Sequence, residues 1–182
     1  MQNHACTDKV RMFQRNPMRR SRLLVTPAVL GGFALGIYSV SLYATPPSPL
    51  DPRVTQSTIE STICHRDYLT KVAPSVDERL FRKGELLAQR AITPESAPLY
   101  ALDFRVPVLL GGSPDAPENF DLIPWDGPGG ERRKRRFTVF LNRCVCAGEI
   151  PLARARAALS GDWPRTYPNL WMLRCRNVSD AR

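Results

Sequence analysis

One carboxylate stands alone in an apolar, strand-like run: Asp103, within YALDFRV from Tyr100 to Val106. Its plain reading is a carboxylate that makes a local hydrogen bond or pairs with an arginine. Asn119 stands just before a second apolar run and reads as an amide that pins a loop. Further on, Glu131 precedes five consecutive cations, Arg132, Arg133, Lys134, Arg135 and Arg136. Such a run is commonly a solvated helix face. In its functional reading it contacts phosphate on a nucleic-acid backbone, a lipid headgroup or a cell-surface polymer, giving salt-dependent, sequence-independent binding. At a helix N-terminus these cations oppose the macrodipole at a few tenths of a kcal/mol each, roughly, which favours a reason for their presence. The chain has two histidines, His4 and His65, and neither is near Asp103 in sequence. A general base titrating near neutrality is therefore not at hand. There is no base-reading motif, aromatic stacking set or nucleotide loop.

The elements that must hold these residues follow from pattern. Two β-type runs around a Gly111-Gly112 turn and a Ser/Pro/Asp loop predict a hairpin. Phe137, Phe140, Leu141 and Cys144 recur at spacings of three and four, predicting a packing helix over Arg132 to Cys146, with Gly148 placed for its C-terminal turn. Ser75 to Ile92 predicts a helix capped by Ser75 with Glu78 three residues on. Leu80, Leu87 and Ala91, with Phe81 beside them, form its expected apolar face, and Thr93-Pro94 ends it. Short helices are predicted over Val54 to Cys64 and Leu152 to Leu159.

The order strand, turn, strand, helix resembles the HNH branch of the ββα-metal nucleases, within a group of small secreted bacterial proteins. Matching residues are Tyr100, Asp103, Pro107, Gly111, Gly112, Asn119, Lys134, Val145, Cys146 and Gly148; weaker matches extend over Leu50 to Tyr167. The resemblance implies an α+β fold: a small ββα-metal hairpin-plus-helix core with flanking helices. It also implies Asp103 as first ligand of a divalent metal, the cofactor of an active member, and a Cys64–Cys146 disulfide. The departures bear on activity. Phe104 occupies the position of the family's histidine, and the family's helix Asp and Glu fall on Arg135 and Thr138. Phe104 neither transfers a proton nor coordinates a metal, and Arg135 repels one, so no cofactor is expected.

The net charge is +9, of which the segment before the long apolar run holds +5, from six Lys/Arg and Asp8. Leu23 to Ala44 is free of charge and long enough to cross a bilayer, with Arg19, Arg20 and Arg22 on its N-terminal flank. It reads as a signal anchor or as a cleaved signal peptide. The expected organisation is a basic region 1–22, the apolar segment 23–44, a Pro-rich linker 45–52, an HNH-like domain 53–168 and an unassigned tail 169–182. A membrane partner through that segment follows, with the domain anchored at the inner membrane or released to the periplasm or medium. Cys64, Cys144, Cys146 and Cys175 would then lie in a disulfide-permissive compartment, with three pairings open. Cys144-x-Cys146 is too tight for a zinc knuckle.

Three functions fit these residues. The first is an exported, catalytically degenerate HNH-like protein that binds nucleic acid or another anionic polymer. The second is an active metal-dependent endonuclease with an unrecognised base such as His65. The third is a structural or protein-interaction domain of the cell envelope.

Overall fold

The computed structural model describes residues Ser48–Asp180. The elements run α1 (Tyr68–Val72), α2 (Val76–Gln89), β1 (Tyr100–Phe104), β2 (Phe120–Pro124), α3 (Glu131–Cys146), α4 (Leu152–Ala158), α5 (Trp163–Thr166) and α6 (Cys175–Asp180). This is an α+β fold in which β1 and β2 pair antiparallel and place Asp103 opposite Asp121. Like charges directly opposite are destabilising. Each is offset by its own cation: Lys134 for Asp103, Arg90 for Asp121.

The expectation of a membrane-spanning element preceding this fold is corrected. Among the described residues no helix is long and apolar enough to cross a membrane, and the segment 23–44 lies outside those residues. The fold class is therefore helices with a small antiparallel sheet, and the anchored topology and membrane partner are withdrawn.

The core is built on α3. Phe137, Leu141 and Val145 are fully buried, one helical turn apart, as the apolar spacing requires. The Phe137 ring meets Tyr167 at 4.9 Å and Trp163 at 5.6 Å between centroids. Gly148, at φ 72°, ends the helix, and Glu149 N–H donates back to the Cys144 carbonyl. A left-handed residue here lets the last carbonyls find donors.

The hairpin loop is held by its glycines and one amide. Gly111 takes φ 78°, and a Cβ there would strike the Arg156 guanidinium and Val54. A Cβ on Gly112 would enter the Val106 carbonyl. Arg156 donates to the Leu110 and Val54 carbonyls, tying α4 to the loop and to the N-terminal segment. Leu50 bridges to Gly112, and Asp51 N–H donates to Gly111 O at 3.0 Å, so the end of the Pro-rich linker belongs to the fold.

Other expectations change on contact with the structure. Val54 to Cys64 forms a single 3₁₀ turn, Gln56–Thr58, followed by turns. Its threonine hydroxyls hydrogen-bond locally, Thr58 to Arg53 O and Thr62 to Thr58 O, an alternative to a longer helix. Ser75 does cap α2, accepting from Glu78 N at 3.1 Å. The expected apolar face of α2 is not a core face, for Leu80 and Phe81 are 62% and 61% exposed. The tail after Tyr167 is part of the domain: α6 carries Cys175, bonded to Cys144, and the fully buried Val178.

Two disulfides fasten the fold, Cys64–Cys146 and Cys144–Cys175, spanning 82 and 31 residues. By loop-closure entropy these are worth about 4.5 and about 3.7 kcal/mol taken singly.

Candidate functional site

The hairpin and the first turns of α3 enclose a cleft of about 370 Å³. Asp103, Phe104, Lys134, Arg135 and Thr138 all line it. The structure thus gathers the positions that the resemblance marks as catalytic, in their altered form.

At its floor is a closed ion pair. Lys134 Nζ lies 2.5 Å from Asp103 Oδ2, and donates also to the backbone carbonyls of Phe104 at 2.8 Å and Arg105 at 3.4 Å. Both side chains are 10% exposed. Burial pushes the Asp103 carboxyl above its ordinary value, opposed by the Lys134 ammonium, while Asp121 and Glu131 add to the rise. The pair is satisfied by three acceptors around one ammonium, the condition under which a buried charge is tolerated.

This corrects two expectations. Asp103 is not poised as a metal ligand, because an ammonium already occupies its carboxylate. Lys134 is not a surface cation for nucleic acid, because it is buried. Counting back from Phe137 and Thr138 by three and four residues reaches Lys134, so the apolar periodicity of α3 held that signal; the cationic run masked it.

A divalent ion does not fit the donor set. Among the described residues no group of three His, Cys, Asp or Glu could hold one. Phe104, a residue that cannot coordinate a metal, packs its ring on Phe120 at 5.1 Å, and Arg135, paired with Glu131 at 2.9 Å, adds a second cation to the cleft. His65 lines another cleft, of about 390 Å³, beside Cys64 and Cys146, and Asp103 is not among that cleft's lining residues.

Asn119 is fully buried and wholly engaged. Its Oδ1 accepts from Val106 N at 2.8 Å, and its Nδ2 donates to the carbonyls of Val106 at 3.0 Å and Ser113 at 2.7 Å. It joins the two arms of the hairpin loop and does not line the cleft.

The remaining cations divide by helix face. Arg133 is a fastener: its guanidinium lies 5.1 Å from the Trp163 ring centroid and donates to the carbonyls of Pro128, Tyr167 and Pro168. Arg132 pairs with Asp126 and lies over Trp125, 5.6 Å from its centroid. Arg136 is exposed, and among the described residues it has no ion pair or hydrogen bond. Arg132, Arg133 and Arg136 line a second hollow of about 250 Å³ together with Trp125, Asp126 and Trp171. The sequence shows no aromatic stacking set near the cations. The fold brings Trp125 and Trp171, far apart in the chain, to the lining of one hollow beside the cations.

No family model, curated protein or solved structure matches the chain.

Proposed function

We propose that this is a non-hydrolytic domain, built on an HNH-like hairpin-and-helix scaffold, that binds polyanions through the outer guanidinium face of α3. The observation that carries it is the Lys134 ammonium seated on Asp103. Hydrolysis of a phosphodiester on such a scaffold needs a free carboxylate, a base and a cation. The cleft instead offers two carboxylates that already hold cations, Asp103 with Lys134 and Glu131 with Arg135, and a phenylalanine beside them. Support for binding comes from the opposite side of α3, where Arg132 and Arg136 face solvent. Counting Arg133 with them and Asp126 against them leaves that hollow with a net charge of +2. The two disulfides support maturation in an oxidising compartment.

The test is a metal-dependent nuclease assay on the purified full chain. Plasmid DNA should remain uncut with magnesium, manganese, nickel or zinc, at the level of a heat-treated control. Cutting that survives repurification and disappears in Asp103→Ala refutes the reading. Binding of duplex DNA should weaken with salt with a log–log slope of about −2, for Arg132 and Arg136 on that hollow at about 0.9 each.

A second reading, a protein-interaction domain, is favoured by one observation: Val76, Leu80, Phe81 and Leu99 are all more than 60% exposed. Scattered exposed apolar residues are ordinary, but four large ones near one another in sequence are a docking candidate. Sedimentation of the full chain, with and without Phe81→Glu, reads whether that surface self-associates.

A further inference from the structure

The hollow beside α3 holds more than charge. Trp171, on the 3₁₀ turn Leu170–Met172, is 82% exposed, the most exposed large apolar side chain among the described residues. An indole left in water costs apolar hydration with no gain in stability. It shares the hollow with Arg136, which has no partner among the described residues, and with Trp125, whose face carries the Arg132 guanidinium. Asp126 is the one carboxylate in the hollow, and it is engaged by Arg132.

We propose that this hollow takes one nucleotide of a single-stranded nucleic acid, with the base on the Trp171 indole and the phosphate on Arg136. This rests on the polyanion-binding reading above and names the ligand of that surface. Charge complementarity selects an anion, and the indole selects a planar ring attached to it. A duplex keeps its base faces stacked inside, whereas an open strand presents them, so base–aromatic stacking favours the single strand and is tolerant of sequence. A volume of about 250 Å³ encloses one unit of a chain and leaves the rest on the surface. A sulfated or phosphorylated polysaccharide would use the arginines, but has no aromatic base for Trp171.

The experiment uses the purified full chain with both disulfides intact and reads the fluorescence anisotropy of labelled oligothymidylate. Unlabelled duplex of equal length and dextran sulfate serve as competitors. Trp171 and Arg136 are exposed, so their variants should keep the parent's thermal midpoint. Trp171→Ala should weaken oligothymidylate about 5- to 150-fold, the range for loss of one stacked base. Trp171→Phe should keep most of the affinity. Dextran sulfate should bind the parent and Trp171→Ala with the same affinity, read from its displacement of the labelled oligonucleotide from each. Arg136→Gln should reduce the salt slope for the oligonucleotide by about 0.7, one single-strand phosphate contact.

If Trp171→Ala binds oligothymidylate as the parent does while Arg136→Gln is weakened, the stacking proposal is overturned and polyanion binding stands. If Trp171→Ala loses dextran sulfate to the same degree, the indole does not read bases, and the proposal is likewise overturned. If neither oligonucleotide nor dextran sulfate binds at low salt, this proposal and the polyanion-binding reading both fall.

Discussion

Replacing Lys134 by methionine removes an ammonium but little volume, and strands Asp103 in a site where it is 8% exposed. Without its partner the carboxyl either stays charged and desolvated or takes up a proton. Taking up a proton sets the upper limit of the cost. A carboxyl with an ordinary value of 3.8, held neutral at pH 7, costs about 1.36 × 3.2, or about 4.4 kcal/mol. Breaking a buried pair by removing one partner costs about 3 to 5 kcal/mol, which agrees. The carbonyls of Phe104 and Arg105 also lose a donor. For the 133 residues Ser48–Asp180, a melting entropy of about 2.1 cal/mol/K per residue converts a deficit of about 3 to 4.4 kcal/mol to a midpoint lower by about 11 to 16 °C. The pH dependence has a definite sign. Asp103 already binds its proton more tightly folded than unfolded, and losing Lys134 strengthens that. Its contribution is most favourable below the unfolded value and declines as pH rises from there through the raised folded value. The deficit of Lys134→Met should therefore be small near pH 3 and grow toward neutrality. Thermal melts of parent, Lys134→Met, Asp103→Leu and the double variant from pH 3 to pH 7 provide the assay. The double variant should recover to within about 2 kcal/mol of the parent, since an apolar pair replaces a buried ionic one at little cost. Simple addition of the two single deficits, or a Lys134→Met midpoint equal to the parent's at pH 7, would refute the buried pair and with it the case against hydrolysis.

Asn119→Ala should lower stability by about 3 kcal/mol in chemical denaturation, because it leaves Val106 N–H and two carbonyls without their partners. Asn119→Asp should be no better, since it turns an oxygen toward those carbonyls. Replacing Cys64 and Cys146 together by serine should cost about 4.5 kcal/mol and replacing Cys144 and Cys175 about 3.7. Non-reducing peptide maps should show each pair surviving loss of the other. Asp51 is gripped by Arg53, Nε and Nη2 reaching its oxygens at 2.7 to 3.1 Å. The side-chain hydrogen bonds from Arg53 hold its carboxyl below the ordinary value against the opposing effect of burial. This contribution is present above the unfolded value of 3.8 and is lost as pH falls through the lowered folded value, so Arg53→Ala should flatten the acid limb of stability against pH.

Local rules were legible wherever neighbours in sequence are neighbours in space. The Ser75 cap, the three-and-four spacing of Phe137, Leu141 and Cys144, the left-handed Gly148 and the Gly111-Gly112 turn all rest on backbone geometry within a few residues, which side-chain type alone specifies. The run Arg132 to Arg136 was not legible, because five like charges conceal that successive helical residues turn by about 100°. That rotation sends Lys134 into the core, Arg133 onto Trp163, Arg135 toward the cleft and only Arg132 and Arg136 to the open face. The apolar spacing of α3 places Lys134 inward; which acid it meets there depended on where β1 brings Asp103, 31 residues earlier. The apolar stripe of α2 misled for the converse reason: Leu80 and Phe81 had the spacing of a core face, and nothing in the described fold covers them. The sharing of one hollow by Trp125, Trp171 and Arg136, and the capture of the tail by Cys144–Cys175, likewise join distant segments. Pairwise proximity of that kind is a property of packing, and no spacing along the chain encodes it.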